Sequence, residues 1–217
     1  MTAPRRRRDL ASVIVALNPH DHDFRAVLDA WAAQVGAGEY EVIVAHDGCR
    51  PSVQAEVAAH RLEHPSTPVR LVESRAPGRA ASNNAGVRAS RGDLVVFVAD
   101  DFRPSAGLVA AHRLFHARIG RPAAGIGPGY FDASRRADPF ARWLEDSGHI
   151  WGISFTTARL HWREDFFYVG NASMFRQVFD AAGGFDESFR YDLFDDWAFG
   201  ERLRSAGVAS RFVARAI

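Results

Sequence analysis

The sequence predicts an α/β protein with a mostly parallel central sheet flanked by helices on both faces. Short apolar runs of the length of a buried strand recur along the first half, separated by segments whose apolar residues repeat at helical spacing. Little sequence is spare between the two kinds of segment, and such strict alternation favours parallel strands joined by crossover helices.

The elements follow in order. Ser12–Leu17 is a continuous apolar run, as expected for a strand covered on both faces. Phe24, Val27, Leu28 and Trp31 then mark an amphipathic helix. Glu41–Ala45 reads as a second strand, Val53–Leu62 as a second helix and Val69–Val72 as a third strand. Behind the turn Pro77-Gly78, Ala80–Ala89 reads as a third helix, and Leu94–Val98 is a fourth strand that stops on Asp100 and Asp101. Pro104 and Ser105 open a further helix. From Gly120 the rhythm changes. Gly125, Gly127, Pro128 and Gly129 break the chain, Trp143, Trp151 and Trp162 lie in a segment without clean periodicity, and regular structure resumes at Phe175–Ala182 and Asp195–Ser205.

Composition bounds the function. The 217 residues suffice for one substantial domain, and 47% hydrophobic with 24% charged residues is ordinary for a globular protein. A formal net charge of +1 gives no global reason to expect nucleic acid as a partner. The single cysteine, Cys49, excludes an internal disulfide and a cysteine-based metal site. No apolar run reaches the ~18–20 residues that span a bilayer. Arg5 to Arg8 belong to a disordered basic tail over residues 1–9, and residues 10–217 form a single domain. The expected location is cytoplasmic, with peripheral attachment to the inner face of the membrane through the tail as the alternative.

In open parallel sheets, ligands bind outside the carboxyl ends of the strands. Asn18 to Asp23, His46-Asp47-Gly48 and Asp100-Asp101 all stand at such ends, so they converge on one crevice. Adjacent carboxylates there suit a divalent cation that binds oxygen ligands and in turn holds a diphosphate. Capping of the helix beyond Pro104 accounts for the same pair. Asp47-Gly48 is either a simple turn or an acceptor for an imide N–H such as that of uracil. Gly78 to Gly86 (Gly-Arg-Ala-Ala-Ser-Asn-Asn-Ala-Gly) gives a helix with a small-residue back and Arg79 at its mouth, placed to meet an anion.

These pieces, taken in order, resemble the GT-A-type inverting glycosyltransferases of family 2 across nearly the whole chain. Ser12-Val13-Ile14-Val15 is similar to their opening strand, and Val44 to Cys49 (Val-Ala-His-Asp-Gly-Cys) to their Val-Val-Asp-Asp-Gly-Ser segment. Arg79 through Gly92 resembles their Ala-Arg-Asn-x-Gly helix and the turn that ends it. Phe97-Val98-Ala99-Asp100-Asp101 with Pro104 resembles Phe-Leu-Asp-Asp-Asp followed by Pro. Gly170-Asn171-Ala172-Ser173, Gly183-Gly184-Phe185-Asp186-Glu187 and Asp195-Asp196-Trp197 echo the acceptor half.

The resemblance implies a Rossmann-like GT-A fold with a nucleotide-sugar half (10–120) and an acceptor-side elaboration (121–217). It implies a hexosyltransferase-like activity using a nucleoside-diphosphate sugar, UDP-sugar favoured and a dTDP-sugar also compatible, with Mn²⁺ or Mg²⁺. Asp47, Arg79, Asp100 and Asn18 are expected at the donor nucleotide and Asp101 on the metal. Asp196 is expected as the general base with Asp195 beside it, and Trp197, Asn171 and Trp151 toward the acceptor. The acceptor hydroxyl belongs to a saccharide, a lipid-linked glycan or a small molecule, and a homodimer is compatible with the sequence. A nucleotide-sugar-binding module without turnover is the alternative, because Ala99 stands where many relatives carry the first Asp of their Asp-x-Asp motif. His46 and Ser82 also depart from the family pattern, and Ile217 stands near where many relatives present a further His. His112 and His116 share a helix face, but with no acid beside them they read as a packed or solvated pair. The sequon Asn171-Ala172-Ser173 reads as coincidence.

Overall fold

The computed structural model describes residues 7–17, 23–48, 51–147, 167–189 and 194–217. Strands β1 (Arg7–Ala16), β2 (Tyr40–His46), β3 (Val69–Glu73) and β4 (Gly92–Ala99) alternate with helices α1 (Phe24–Ala32), α2 (Pro51–Glu63) and α3 (Arg79–Ala89). Helix α4 (Leu108–Ile119), strand β5 (Ala123–Ile126), helix α5 (Pro139–Ser147), strand β6 (Asn171–Phe175), helices α6 (Arg176–Ala181) and α7 (Asp195–Ser205) and strand β7 (Ala209–Phe212) follow. The seven strands form one sheet in the order β3-β2-β1-β4-β6-β5-β7. β1, β2, β3 and β4 pair in parallel, β6 runs antiparallel to both β4 and β5, and β5 pairs in parallel with β7. The mostly parallel sheet read from the alternation is therefore present.

Because successive strand side chains point to opposite faces, each strand feeds two cores. Val13, Val15, Val42, Val44, Val96 and Val98 pack with Phe24, Leu28 and Trp31 of α1 and with α2 and α4. Ile14, Ile43, Val95 and Phe97 face the other way, toward α3, Phe179 of α6 and Phe199 of α7. Helix α3 lies close against the sheet. A Cβ at Gly86 would stand 2.5 Å from the Ile14 Cγ2 and 3.3 Å from the Ala45 Cβ, so its small-residue back is a steric requirement. Among the described residues no helix is long and apolar enough to cross a membrane.

Several boundaries differ from the sequence reading. Arg7 to Asp9, expected in the disordered tail, belong to β1: the Arg7 amide donates to the Arg91 carbonyl, and Arg7 pairs in register with Gly92. The Arg7 and Asp9 side chains stay exposed, so pairing of this backbone with β4 does not cost them their solvation. The helix expected to open at Pro104-Ser105 begins only at Leu108, with Gly107 as its N-cap. Before it, the Ser105 amide donates to the Ile217 carbonyl, so this segment is held across the chain instead. Regular structure resumes earlier than Phe175, because Asn171–Phe175 extends the sheet.

At the amino ends of β1 and β2, Glu41 is fully buried yet satisfied. It accepts from the Ser12 hydroxyl and the Arg91 amide and pairs with the guanidinium groups of Arg70 and Arg91. Burial alone would raise its pKa. The two hydrogen bonds and two positive charges outweigh it, and the carboxyl is held below its ordinary 4.5.

Candidate active site

The carboxyl ends of β1, β2 and β4 open onto a cleft of about 250 Å³. β6 runs antiparallel, so its start lies at the same edge: the Ala99 amide donates to the Gly170 carbonyl, and Tyr168, Val169 and Gly170 close the cleft opposite β1. Asp47, Arg79, Asp100 and Asp101 all line it. Asp100 is buried at 5% exposure, whereas Asp101 is exposed. Neither caps α4, whose N-cap lies at Gly107, so helix capping does not account for the pair.

Asp47 sits just past β2 and accepts the Gly78 amide at 2.7 Å. Gly78 is the N-cap of α3 and has φ +100°, a conformation that L side chains rarely adopt. The carboxylate thereby ties the mouth of α3 to the end of β2. Asn83, one turn into α3, also lines the cleft. It is 2% exposed, and its buried Nδ2 donates no hydrogen bond to the protein. A buried donor left unmet is costly, and a polar ligand in the cleft would relieve that cost.

Several polar contacts dock the second half of the chain onto α3, among them an Arg88–Glu187 ion pair. The Asn84 side chain reads the Phe185 backbone at both polar atoms, accepting from its amide at 2.9 Å and donating to its carbonyl at 2.8 Å. One turn earlier, Arg79 grips Asp195 with Nε and Nη2, and Nη2 stands 3.7 Å from Asp196 Oδ2. Asp195 is fully buried, while Asp196 keeps 18% of its side chain exposed. Burial raises the Asp196 pKa, opposed by Arg79 and supported by the negative charge of Asp195; the Trp197 and Val169 amides pull it down, and the net direction is up. Because Val169 and Arg79 line the cleft, Asp196 stands at its rim.

Three expectations need correction. Asn171, expected at the acceptor, is fully buried and spends its amide on the Pro128 and Ala216 carbonyls and on His112. It stitches β6 to the C-terminal segment. Asp195, expected beside the base as a catalytic carboxylate, cannot meet a substrate while fully buried under Arg79. Arg79, expected to face an anion, has its guanidinium committed to Asp195, although it still lines the cleft. Asn18 and Trp151 lie outside the described residues, as do Trp162 and the histidines at 20 and 22. Trp197 is 56% exposed beside Phe194, at 60%, with ring centroids 6.2 Å apart. Trp143 is also exposed and stacks on Phe140. His112 and His116 are a packed pair, bonded to Asn171 and Ser173, and burial lowers each pKa to about 4.

The sequence reading did not single out Tyr168, Asn83 or Phe194. Asn83 had a signal, since it falls on the same helical run as Arg79. Phe194 had none, because its φ of +66° is a tertiary outcome. A larger cleft of about 480 Å³ lies between α6 and β7, but its charged groups are only Arg121 and Arg211. Among the described residues it offers no carboxylate or histidine.

Comparison with known proteins fits this arrangement. The profile described as Glycosyltransferase like family 2 matches residues 8–217. The chain belongs to glycosyltransferase-like family 2. Its fold is that of the GT-A glycosyltransferases. A mannosyltransferase of Pyrobaculum calidifontis in complex with GDP-Man and Mn²⁺ superposes with a TM-score of 0.63 at 18% identity, over 97% of this chain and 56% of that one. S. aureus TarS 1-349 in complex with UDP-GlcNAc gives 0.64 at 14% identity, over 94% of this chain and 55% of that one. The uncharacterised protein y4gI of Sinorhizobium fredii is 28% identical over 91% of this chain and 23% of its own length. This family 2 chain thus spans about a quarter of that relative and a little over half of the two solved structures.

Proposed function

We propose that the protein transfers a glycosyl group from a nucleoside-diphosphate sugar to an acceptor hydroxyl, with inversion at the anomeric carbon. The observation that carries this reading is one cleft that joins Asp47, Asp100, Asp101 and the unmet Asn83 donor to a raised-pKa carboxylate at its rim. Family membership and the GDP-Man and UDP-GlcNAc complexes of the structural neighbours support the donor class.

Asp47 favours a UDP-sugar. A carboxylate has two oxygens with lone pairs to spare, so one can keep the Gly78 amide while the other accepts a uracil imide N–H. Asn83, which lines the same cleft, adds an amide to the polar groups around the donor. The oxygen-only set of Asp100 and Asp101 fits a hard divalent cation, Mg²⁺ or Mn²⁺, held chiefly by the exposed Asp101. Such an ion, when bound, offsets the charge that builds on the departing diphosphate.

Asp196 takes the proton of the acceptor hydroxyl as its oxygen bonds to the anomeric carbon and the carbon–phosphate-oxygen bond breaks. Its raised pKa suits a base working near neutrality. Asp195 and Arg79 are positioning residues: their ion pair fixes the first turn of α7 against α3 and so sets where Asp196 stands. Trp197 and Phe194 offer exposed aromatic faces next to the base, suited to the apolar face of a sugar acceptor.

The test is Asp196→Asn. Asparagine keeps the shape, and its carbonyl oxygen can still accept from the Trp197 amide, but it cannot take a proton. UDP binding with Mn²⁺, followed by calorimetry, is expected to remain, while transfer, or UDP-sugar hydrolysis with water as acceptor, falls ~10²–10⁴-fold. Near-normal turnover in the variant overturns the base assignment. A binding module without turnover is the second reading, favoured by Ala99 at the end of β4; UDP binding with no turnover by the unaltered protein would establish it.

A further inference from the structure

Where α1 meets α2, three side chains come together that the glycosyl-transfer site does not use. Asp29 projects from α1, His60 lies in the last turn of α2, and His64 follows one turn on, just past its end. A ligand atom from each lies within 4.8 Å of the other two. His60 is fully buried, and neither of its ring nitrogens has a hydrogen-bond partner in the protein. Its ring packs against His64, with centroids 4.8 Å apart, and His64 Nε2 stands 4.0 Å from Asp29 Oδ1.

A buried imidazole normally satisfies at least one nitrogen. His60 instead turns toward a second imidazole and a carboxylate. We propose that Asp29, His60 and His64 form a binding site for a zinc-class divalent ion that clamps α1 to α2.

The donor set is two imidazoles and one carboxylate, borderline ligands that suit Zn²⁺, leaving further coordination to water. It differs in kind from the oxygen-only pair at Asp100 and Asp101. Tetrahedral ligands ~2.0–2.1 Å from zinc stand roughly 3.4 Å apart, so the three groups must close by at most about 1.4 Å. The side chains of Asp29 and His64 are 49% and 38% exposed and can rotate to do so. Electrostatics permits it: Arg25, the cation nearby, is paired with both Asp29 and Glu63, leaving two carboxylates against one guanidinium.

The experiment uses the full chain, Zn²⁺ alone and no nucleotide, with thermal melting and calorimetry as readouts and Co²⁺ absorption as a spectroscopic check. One equivalent of Zn²⁺ is expected to bind and raise Tm, and Co²⁺ to show the visible bands of a low-coordinate nitrogen-ligated ion. His64→Asn and Asp29→Asn, both at accessible positions, are expected to weaken binding about 10–100-fold or more and abolish the Tm shift. Asp101→Asn is expected to leave both unchanged, which separates this site from the donor cleft. No zinc-dependent shift in the unaltered chain, or a shift that survives His64→Asn, overturns the proposal.

Discussion

Asp196 keeps 18% of its side chain exposed at the cleft rim, while its neighbour Asp195 keeps none and spends both oxygens on Arg79. The two therefore divide the work of an acidic pair into holding and reacting. The raised pKa of Asp196 has a consequence for stability. A carboxyl raised in the fold contributes stability below its ordinary 3.8 and loses it as pH rises through the folded value. At neutral pH the ionised group is thus a cost to folding. Asp196→Asn should melt at a higher temperature than the unaltered protein at pH 7 even as turnover collapses; a lower Tm would show that the Arg79 contact outweighs the burial. Asp101 makes a separate prediction. Its carboxylate repels a diphosphate unless a cation intervenes, so Asp101→Asn should weaken UDP binding strongly in Mn²⁺ and little in EDTA. Calorimetry in both buffers checks this, and equal losses would mark Asp101 as structural. Phe194 sits in the left-handed region just before these acids, a conformation costing an L residue roughly 1–2 kcal/mol. The cost is borne beside the exposed Trp197, next to the proposed base.

Helix α3 is the element on which the two halves meet. Its back lies on β1 and β2, its mouth is held by Asp47, and its outer residues Arg79 and Asn84 take hold of α7 and of the turn at Phe185. Any shift of α3 therefore moves both the donor cleft and Asp196. Gly86→Ala tests this. The new methyl would overlap the Ile14 Cγ2 at 2.5 Å, and overpacking of this kind costs typically 1–3 kcal/mol. Denaturant melts should register that loss, and UDP affinity should fall with it. Unchanged stability would mean that β1 yields at no cost. Gly184 matters for a related reason. Its φ is +69°, and a Cβ there would stand 2.9 Å from the Asn84 oxygen that receives the Phe185 amide.

At the scale of the whole molecule, the sheet has a chemical end and a structural end. The carboxyl edge gathers the cleft acids. At the amino edge, Glu41 is buried and fully partnered, joining β1, β2, β3 and the Ser90-Arg91 turn. Its pKa is held down, so its stabilisation is complete above 4.5 and is lost as pH falls through the lower folded value. Acid should therefore weaken the native state below about pH 4.5, and Glu41→Gln should flatten that dependence. The variant should also lose about 1–3 kcal/mol at neutral pH, because Arg70 and Arg91 are left without their anion. Melts across that pH range check both points. A variant as acid-sensitive as the unaltered chain would place the acid response elsewhere.

By itself the sequence determined the alternating strands and helices, the parallel order implied by them, and the convergence of His46-Asp47 and Asp100-Asp101 at one edge. These are legible because burial on both faces and helical periodicity are local properties, and because topology places strand ends without any knowledge of side chains. The family resemblance was carried the same way, by short motifs in order. Only tertiary structure decided which of the polar residues face the cleft. Asn171 lies on a strand that could present it either way, and the choice fell to partners at Pro128, His112 and Ala216, distant in sequence. Asp195 and Asp196 are adjacent in sequence, and their different exposures follow from where Arg79, more than a hundred residues earlier, comes to rest. The same holds for the meeting of Asp29 with His60 and His64: helical spacing sets the two histidines side by side, but nothing local adds the carboxylate. Their meeting depends on α1 and α2 packing side by side on one face of the sheet, a long-range result of the core that no single segment encodes.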